Sequence, residues 1–201
     1  MTEIIEPNPL LLDYISEARA LFTDFDGSKR EFVDADEWHY VPSELEQNIY
    51  LLNRLDEKGL LAESNSVFDC GIGLATTMFD LYLQSKDIVG KTFTFGGVEK
   101  HERYVEYLRE KLMNFWEGNL NLVVGDIMEQ DYSGHNVVYT YSPFKTVEKL
   151  TEFYQKIVCE IATGSIIVES RNYGKGHMET LASIDGIEEI EIDDIFVYRK
   201  K

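Results

Sequence analysis

The 201-residue chain carries 37 acidic against 19 basic residues, a formal net charge of −18, with 44% apolar and 12% aromatic residues. That length and apolar share suit one domain with a sizeable core. The charge, with no Lys/Arg cluster anywhere, argues against a nucleic-acid partner and leaves a basic protein, a cation or a neutral small molecule.

In the first 65 residues, Leu11, Ile15, Ala18 and Phe22 recur at helical spacing, which predicts an opening helix. An acidic stretch follows from Thr23 to Trp38. Its LFTDFDGS string (21–28) resembles the aspartyl nucleophile motif of haloacid-dehalogenase-type phosphatases, with Asp24 and Asp26 as nucleophile and acid. That chemistry needs the first Asp at the end of a buried strand. The residues before it have helical spacing instead, so the string reads as a solvated turn. Pro42–Ser43 then opens a second helix, with Ser43 and Glu46 spaced as a capping box and Leu45, Ile49 and Leu52 on one face. This is too little apolar material for an independent domain. Residues 1–65 are expected to form a helical cap or lid on a domain spanning 66–201.

From residue 66 onward, strands and helices alternate. SVFDC (66–70), TFTFGGVE (92–99), LNLVV (120–124), NVVYTY (136–141) and GSIIVES (164–170) read as strands. Helices are expected over 74–85, on the face of Tyr104, Leu108, Leu112 and Phe115, and on that of Leu150, Phe153, Ile157 and Ile161, the last ended by Gly164. Residues 187–200 hold two strand-like pieces with almost nothing between them, which predicts a terminal hairpin. The fold class is therefore α/β, a doubly wound, mostly parallel, seven-stranded Rossmann-like sheet with a C-terminal antiparallel β-hairpin and an N-terminal helical cap.

Cys70 and Cys159 lie in apolar stretches without metal-ligand spacing and are expected as buried thiols in a reducing compartment. His39, His101, His135 and His177 show no coordinating pattern either, so no metal is expected. No segment has the length of a membrane span, and MTEIIEPNPL has no basic region followed by an apolar one. The expectation is a cytoplasmic protein with no membrane partner.

The turn after the first strand carries the functional signal. Gly71 and Gly73 let backbone pass close to a ligand and reach φ values that other residues avoid. A dinucleotide site keeps this turn free of negative charge for its pyrophosphate. Here Asp69 precedes the glycines, and Thr76 stands where the third glycine of G-x-G-x-x-G would be. Glu99 ends the second strand, placed to accept from ribose hydroxyls, and Gly125–Asp126 ends the third, placed for an adenine amino group. Three acidic residues at successive strand ends suit a cationic ligand with ribose and adenine but no phosphate, such as S-adenosylmethionine.

The series Asp69-Cys70-Gly71-Ile72-Gly73-Leu74-Ala75, Gly97-Val98-Glu99, Gly125-Asp126 and Val138-Tyr139-Thr140-Tyr141-Ser142-Pro143-Phe144 resembles the motifs of class I S-adenosylmethionine-dependent methyltransferases. The resemblance covers about residues 66–201, terminal hairpin included, and implies the methyltransferase form of the Rossmann-like sheet. It implies that Asp69, Gly71 and Gly73 shape the methionine pocket, Glu99 holds the ribose, and Asp126 with Ile127 frames the adenine. Tyr40-Val41-Pro42-Ser43, together with Tyr141-Ser142-Pro143-Phe144, is similar to a subgroup of protein-lysine methyltransferases whose upstream segment folds over the cofactor. This implies that Tyr40 reaches the site, while Tyr141, an aromatic near a strand end, is placed either to line the methyl-transfer channel or to pack in the core. Enzymes that methylate exocyclic amino groups carry Asn or Asp where Tyr141 stands, so adenine methylation is not expected.

No catalytic residue is legible, because methyl transfer rests on positioning and desolvation rather than an obligatory base. Asn172, Tyr173 and His177, in the Gly-rich loop after the fifth strand, are candidates for placing an acceptor or taking its proton, and a rim loop of that composition needs no function. The reading is S-adenosylmethionine-dependent methyl transfer to a nucleophilic acceptor, with the acidic surface favouring a basic protein and its lysines. A small-molecule acceptor, an inactive cofactor-binding partner subunit and a nicotinamide-dependent oxidoreductase remain alternatives.

Overall fold

The computed structural model describes residues 7–21, 48–113, 115–116, 120–170, 180–192 and 195–201. Five strands run parallel: β1 (Ser64–Cys70), β2 (Thr92–Glu99), β3 (Leu120–Val124), β4 (Val137–Thr140) and β5 (Ile166–Glu169). The terminal hairpin, β6 (Ile187–Ile192) and β7 (Ile195–Lys200), adds β7 antiparallel to β5. Strand order is β3-β2-β1-β4-β5-β7-β6. The sequence therefore runs outward from β1 in one direction and outward from β4 in the other. With right-handed crossovers, the helices of the two wings cover opposite faces of the sheet.

The packing follows that rule. Helices α1 (Pro9–Leu21), α2 (Leu51–Glu57), α3 (Thr76–Ser85) and α4 (Glu102–Leu112) bury their apolar sides on one face, against Val67, Phe95, Leu122, Tyr139 and Val168. Helix α5 (Val147–Glu160) covers the other face through Leu150, Phe153, Tyr154 and Ile157, against Phe68, Val138, Ile167 and Tyr198. Thr146 caps α5 by accepting from the Lys149 N–H at 3.4 Å. The described upstream residues share the first of these cores: Leu11, Tyr14, Ile15, Ala18, Leu51, Leu52 and Leu55 are buried within it. Each large side chain buried there contributes roughly 1.5–3 kcal/mol.

Four sequence expectations are corrected. The helix expected to run on through Leu52 is interrupted: Tyr50 takes a left-handed conformation (φ 64°), and α2 starts afresh at Leu51. Phe115 lies beyond α4 and is 53% exposed, while Trp116 takes the buried place, stacked on Tyr82 at 4.1 Å. Gly164 does not end α5, which stops at Glu160. It forms the turn into β5 (φ 88°) and donates to the Lys200 carbonyl at 2.9 Å. Cys159 is exposed because it falls on the outer side of α5, whereas Cys70 is buried as expected. Phe22, the Asp24–Gly27 turn and the Ser43–Glu46 cap lie outside the described residues.

One glycine is required by packing. A Cβ on Gly97 would stand 2.7 Å from Ile72 Cδ1, 2.8 Å from Ile72 Cβ and 3.0 Å from the Asp69 carbonyl. Gly97→Ala is expected to push the 71–75 loop away from β2. Urea unfolding should report a loss of about 1–3 kcal/mol.

Candidate functional site

Strand order reverses between β1 and β4, so the crevice for a ligand opens at the C-terminal ends of these strands. Asp69 pairs in register with Gly97 on one side and Tyr139 on the other, and Glu99 lies two residues beyond Gly97. Strand alternation therefore aims Asp69, Glu99 and Tyr139 toward the α1–α4 face.

The chain leaves β1 through Gly71 (φ 85°), Gly73 (φ 53°) and Ala75 (φ 53°), three left-handed residues at alternate positions, before α3 begins. The Gly71 and Ile72 amides donate to the Val98 carbonyl at 3.0 and 2.9 Å, which ties the loop to β2. Glu99 fastens it further, accepting from Gly73 N–H at 2.9 Å through Oε2 and from His101 N–H at 2.8 Å through Oε1. From α1, the Tyr14 hydroxyl donates to the Leu74 carbonyl at 2.6 Å. A Cβ added at Gly71 would meet nothing within 4 Å, so the loop faces open space there.

The loop amide thus goes to Glu99 and not to Asp69. Asp69 is only 5% exposed, and its carboxylate forms no hydrogen bond among the described residues. Burial, aided by the charge of Glu99, pushes its pKa up to about 8. Glu99 is raised by burial too, against the pull of the His101, Gly73 and Lys100 amides.

Asp126 is half-buried and caps the 3₁₀ turn Ile127–Glu129, its Oδ1 accepting from Met128 N–H at 2.8 Å. Ile127 is half-buried, and its carbonyl accepts from the Tyr132 hydroxyl at 2.7 Å. The Gly125 amide donates to the Glu99 carbonyl at 3.0 Å, so the exits of β2 and β3 are joined. Tyr141 follows β4 directly and is half-buried. The structure therefore links Asp69, Gly71, Gly73 and Glu99 through one loop, with Asp126 and Ile127 attached through Gly125. Tyr40, Asn172, Tyr173 and His177 lie outside the described residues.

Three residues that sequence reasoning passed over build the surroundings. Glu169, at the end of β5, accepts from Ser142 N–H at 3.0 Å and from Ser142 Oγ at 3.3 Å, and the Tyr154 hydroxyl donates to its other oxygen. This holds Ser142 at φ 43°, a conformation costly for a residue that precedes proline. A lone acid closing the apolar run IIVE was the available signal. Asn48 accepts from the Tyr139 hydroxyl at 3.0 Å, and its carbonyl takes the Gln84 amide at 2.6 Å. Tyr14 stood in the sequence as one more residue of an amphipathic stripe.

No family model matches the chain. Among solved structures it resembles the S-adenosylhomocysteine-bound methyltransferase PaMTH1 of Podospora anserina, with TM-score 0.65 and 12% identity over 96% of this chain and 88% of that one. A methyltransferase from Geobacter sulfurreducens gives TM-score 0.64 and 9% identity over 98% and 93% of the two chains. The chain has the fold of the class I S-adenosylmethionine-dependent methyltransferases. In sequence it is 29% identical over 113 residues to the carboxy-S-adenosyl-L-methionine synthase of Campylobacter fetus subsp. fetus, a match over 55% of this chain and 45% of that protein. The match thus spans about half the length of this relative. Within the methyltransferase fold, the glycine turn, Glu99 and Asp126 stand at successive strand ends of the β1-β2-β3 wing. No described helix is long and apolar enough to cross a membrane, and no metal-binding cluster occurs among the described residues.

Asp69 titrates in the ordinary carboxylate range when unfolded and near 8 when folded. The folded state therefore keeps a proton that the unfolded state releases. Its stabilising contribution is complete below the unfolded pKa and is lost as pH rises through about 8. Asp69→Asn is expected to raise thermal stability at pH 7, by on the order of a few kcal/mol, with no gain at acid pH. Thermal melts across that range read this directly.

Proposed function

We propose that the protein binds S-adenosylmethionine at the 71–75 loop and transfers its methyl group to a nucleophilic acceptor, a lysine of a basic protein. The observation that carries this is Asp69: a buried carboxylate with no hydrogen-bond donor among the described residues, beside a turn that faces open space at Gly71. Such a group suits a ligand that brings a cationic donor, and the Asp69–Glu99 pair disfavours one that brings phosphate.

The remaining residues fit the same ligand. Glu99 accepts from three amides and has about four lone-pair sites, so acceptor capacity remains for a ribose hydroxyl. Asp126 spends Oδ1 on its own turn, and Oδ2 remains for an exocyclic amine. When bound, the sulfonium supplies an electrophilic methyl for in-line displacement. The chain's part is to orient that group, exclude water and let the acceptor amine lose its proton in a low-dielectric channel that Tyr141 would line. The net charge of −18 favours a basic protein as acceptor. The Campylobacter relative supports a second reading, in which the methyl carbon of the cofactor loses a proton and takes a carboxyl group released by a decarboxylating co-substrate, giving carboxy-S-adenosylmethionine.

Calorimetric titration with S-adenosylhomocysteine is the first test. A micromolar dissociation constant, on the order of −8 kcal/mol, is expected for the wild type and should weaken in both Asp69→Ala and Glu99→Ala. No binding by the folded wild type removes the proposal. Radiolabel transfer into basic proteins supports methylation, whereas a cofactor product heavier by one carboxyl group supports the second reading.

Binding also carries a proton signature. A cationic amine paired with Asp69 requires the carboxylate form, so affinity should rise as pH approaches 8. At pH 7, titrations in buffers of different ionisation enthalpy should show release of about one proton, lost in Asp69→Asn. Affinity that does not change between pH 6 and 8 rejects this pairing.

A further inference from the structure

The hairpin brings a second feature to the ligand end of the sheet. β7 runs antiparallel to β5, so its first residues, Ile195 and Phe196, stand beside Glu169 at the C-terminal end of β5. There an open groove of about 400 Å³ is lined by Glu189, Glu191, Ile192, Ile195 and Phe196. Glu189 and Glu191 are alternate, exposed residues of β6, so both carboxylates stand on one side of the strand. Among the described residues neither is in an ion pair. The hairpin's Arg199 goes instead to Glu188, on the opposite side, with Nε 2.7 Å from Oε1. β6 is also the last strand of the sheet, which leaves its outer backbone edge unpaired among the described residues.

Carboxylates on an edge strand keep sheets from pairing edge to edge. That duty does not call for an apolar floor. Phe196, the register partner of Glu191, is partly exposed on the same side of the hairpin and provides one, with partly exposed Ile195 next to it and Ile192 buried behind. Lysine and arginine have the complementary form, an apolar stem carrying a cation at its tip. An extended segment can add to an open strand edge while alternate side chains read the surface beside it.

We propose that this groove docks an extended, basic segment of a protein partner, its Lys or Arg stems on Phe196 and Ile195 and its cations on Glu189 and Glu191. The role of that segment, as part of the methyl acceptor, rests on the methyltransferase reading, and the docking does not. The chain's excess of negative charge would speed the encounter, and the two glutamates would set its location.

The test is fluorescence anisotropy with a short fluorescein-labelled peptide alternating Lys and Val, beside one alternating Glu and Val. Three proteins are compared: wild type, Glu189→Lys/Glu191→Lys, and Glu106→Lys/Glu152→Lys, which makes the same charge change at exposed sites on α4 and α5. The basic peptide should bind the wild type and the α4/α5 variant alike, lose about tenfold in the groove variant, and weaken with salt. Amide shifts in the wild type should fall on β6 and β7. Absence of binding overturns the proposal, as does equal loss in both variants, which would mean diffuse charge attraction. A wild-type dimer through β6, seen by light scattering, overturns it in favour of a second copy as occupant. Titration of the same samples with S-adenosylhomocysteine separates the two readings: cofactor binding without peptide binding rejects the groove alone, and the converse rejects the cofactor site alone.

Discussion

The hydrogen bond from Gly73 N–H to Glu99 is the joint on which the ligand end of the protein depends. It connects the end of β2 to the turn after β1, and the same carboxyl group receives the amide of His101, the residue from which α4 starts. Three chain segments therefore take their positions from one side chain. The joint is possible only because Gly97 lets Ile72 lie flat against β2 and because Gly71 and Gly73 accept left-handed backbone at little cost. Ala75 adopts the same conformation with a Cβ, and the surrounding bonds hold it there.

The same end of the sheet collects groups that work against stability. Asp69 and Glu99 are buried acids side by side, and Ser142 is bent into a left-handed turn ahead of proline. Each arrangement is sustained by neighbours rather than by its own preference: Glu99 by three amides, Ser142 by Glu169. Asp69 alone lacks such support among the described residues. Strain and burial cost gathered at strand ends, over a well-packed two-faced core, are the usual mark of a site where a ligand supplies the missing interactions.

Much of this was legible in the sequence. β2 and β3 match their expected bounds, because apolar runs between turn signals have few other ways to be buried. The acids at successive strand ends were legible for the same reason: once a parallel sheet is drawn, the residue that closes each strand lies on the ligand rim. The errors share another cause. Phe115 and Trp116 are adjacent aromatics, and helical spacing chose the one that lies past the last turn of α4. Tyr50 breaks a helix that periodicity would continue, and the anchoring of neighbouring Asn48 to Gln84 and Tyr139 is a tertiary event. The division of labour between Asp69 and Glu99 depends on an amide direction that no residue pattern encodes.

The bond from Tyr14 to the Leu74 carbonyl gives the first helix a part in the dynamics of the site. Its buried ring lies edge-on to Phe79 at 5.4 Å, and Glu17 pairs with Lys111 on α4. α1 is thus fastened both to the glycine turn and to the helices behind it, and local opening of one exposes the attachment of the other. In hydrogen-exchange terms, α1 and the 71–75 loop are expected to open as one cooperative unit. A ligand that holds the loop also protects amides of a helix far upstream in the chain, since whatever binds the closed form lowers the population of every opening that includes it.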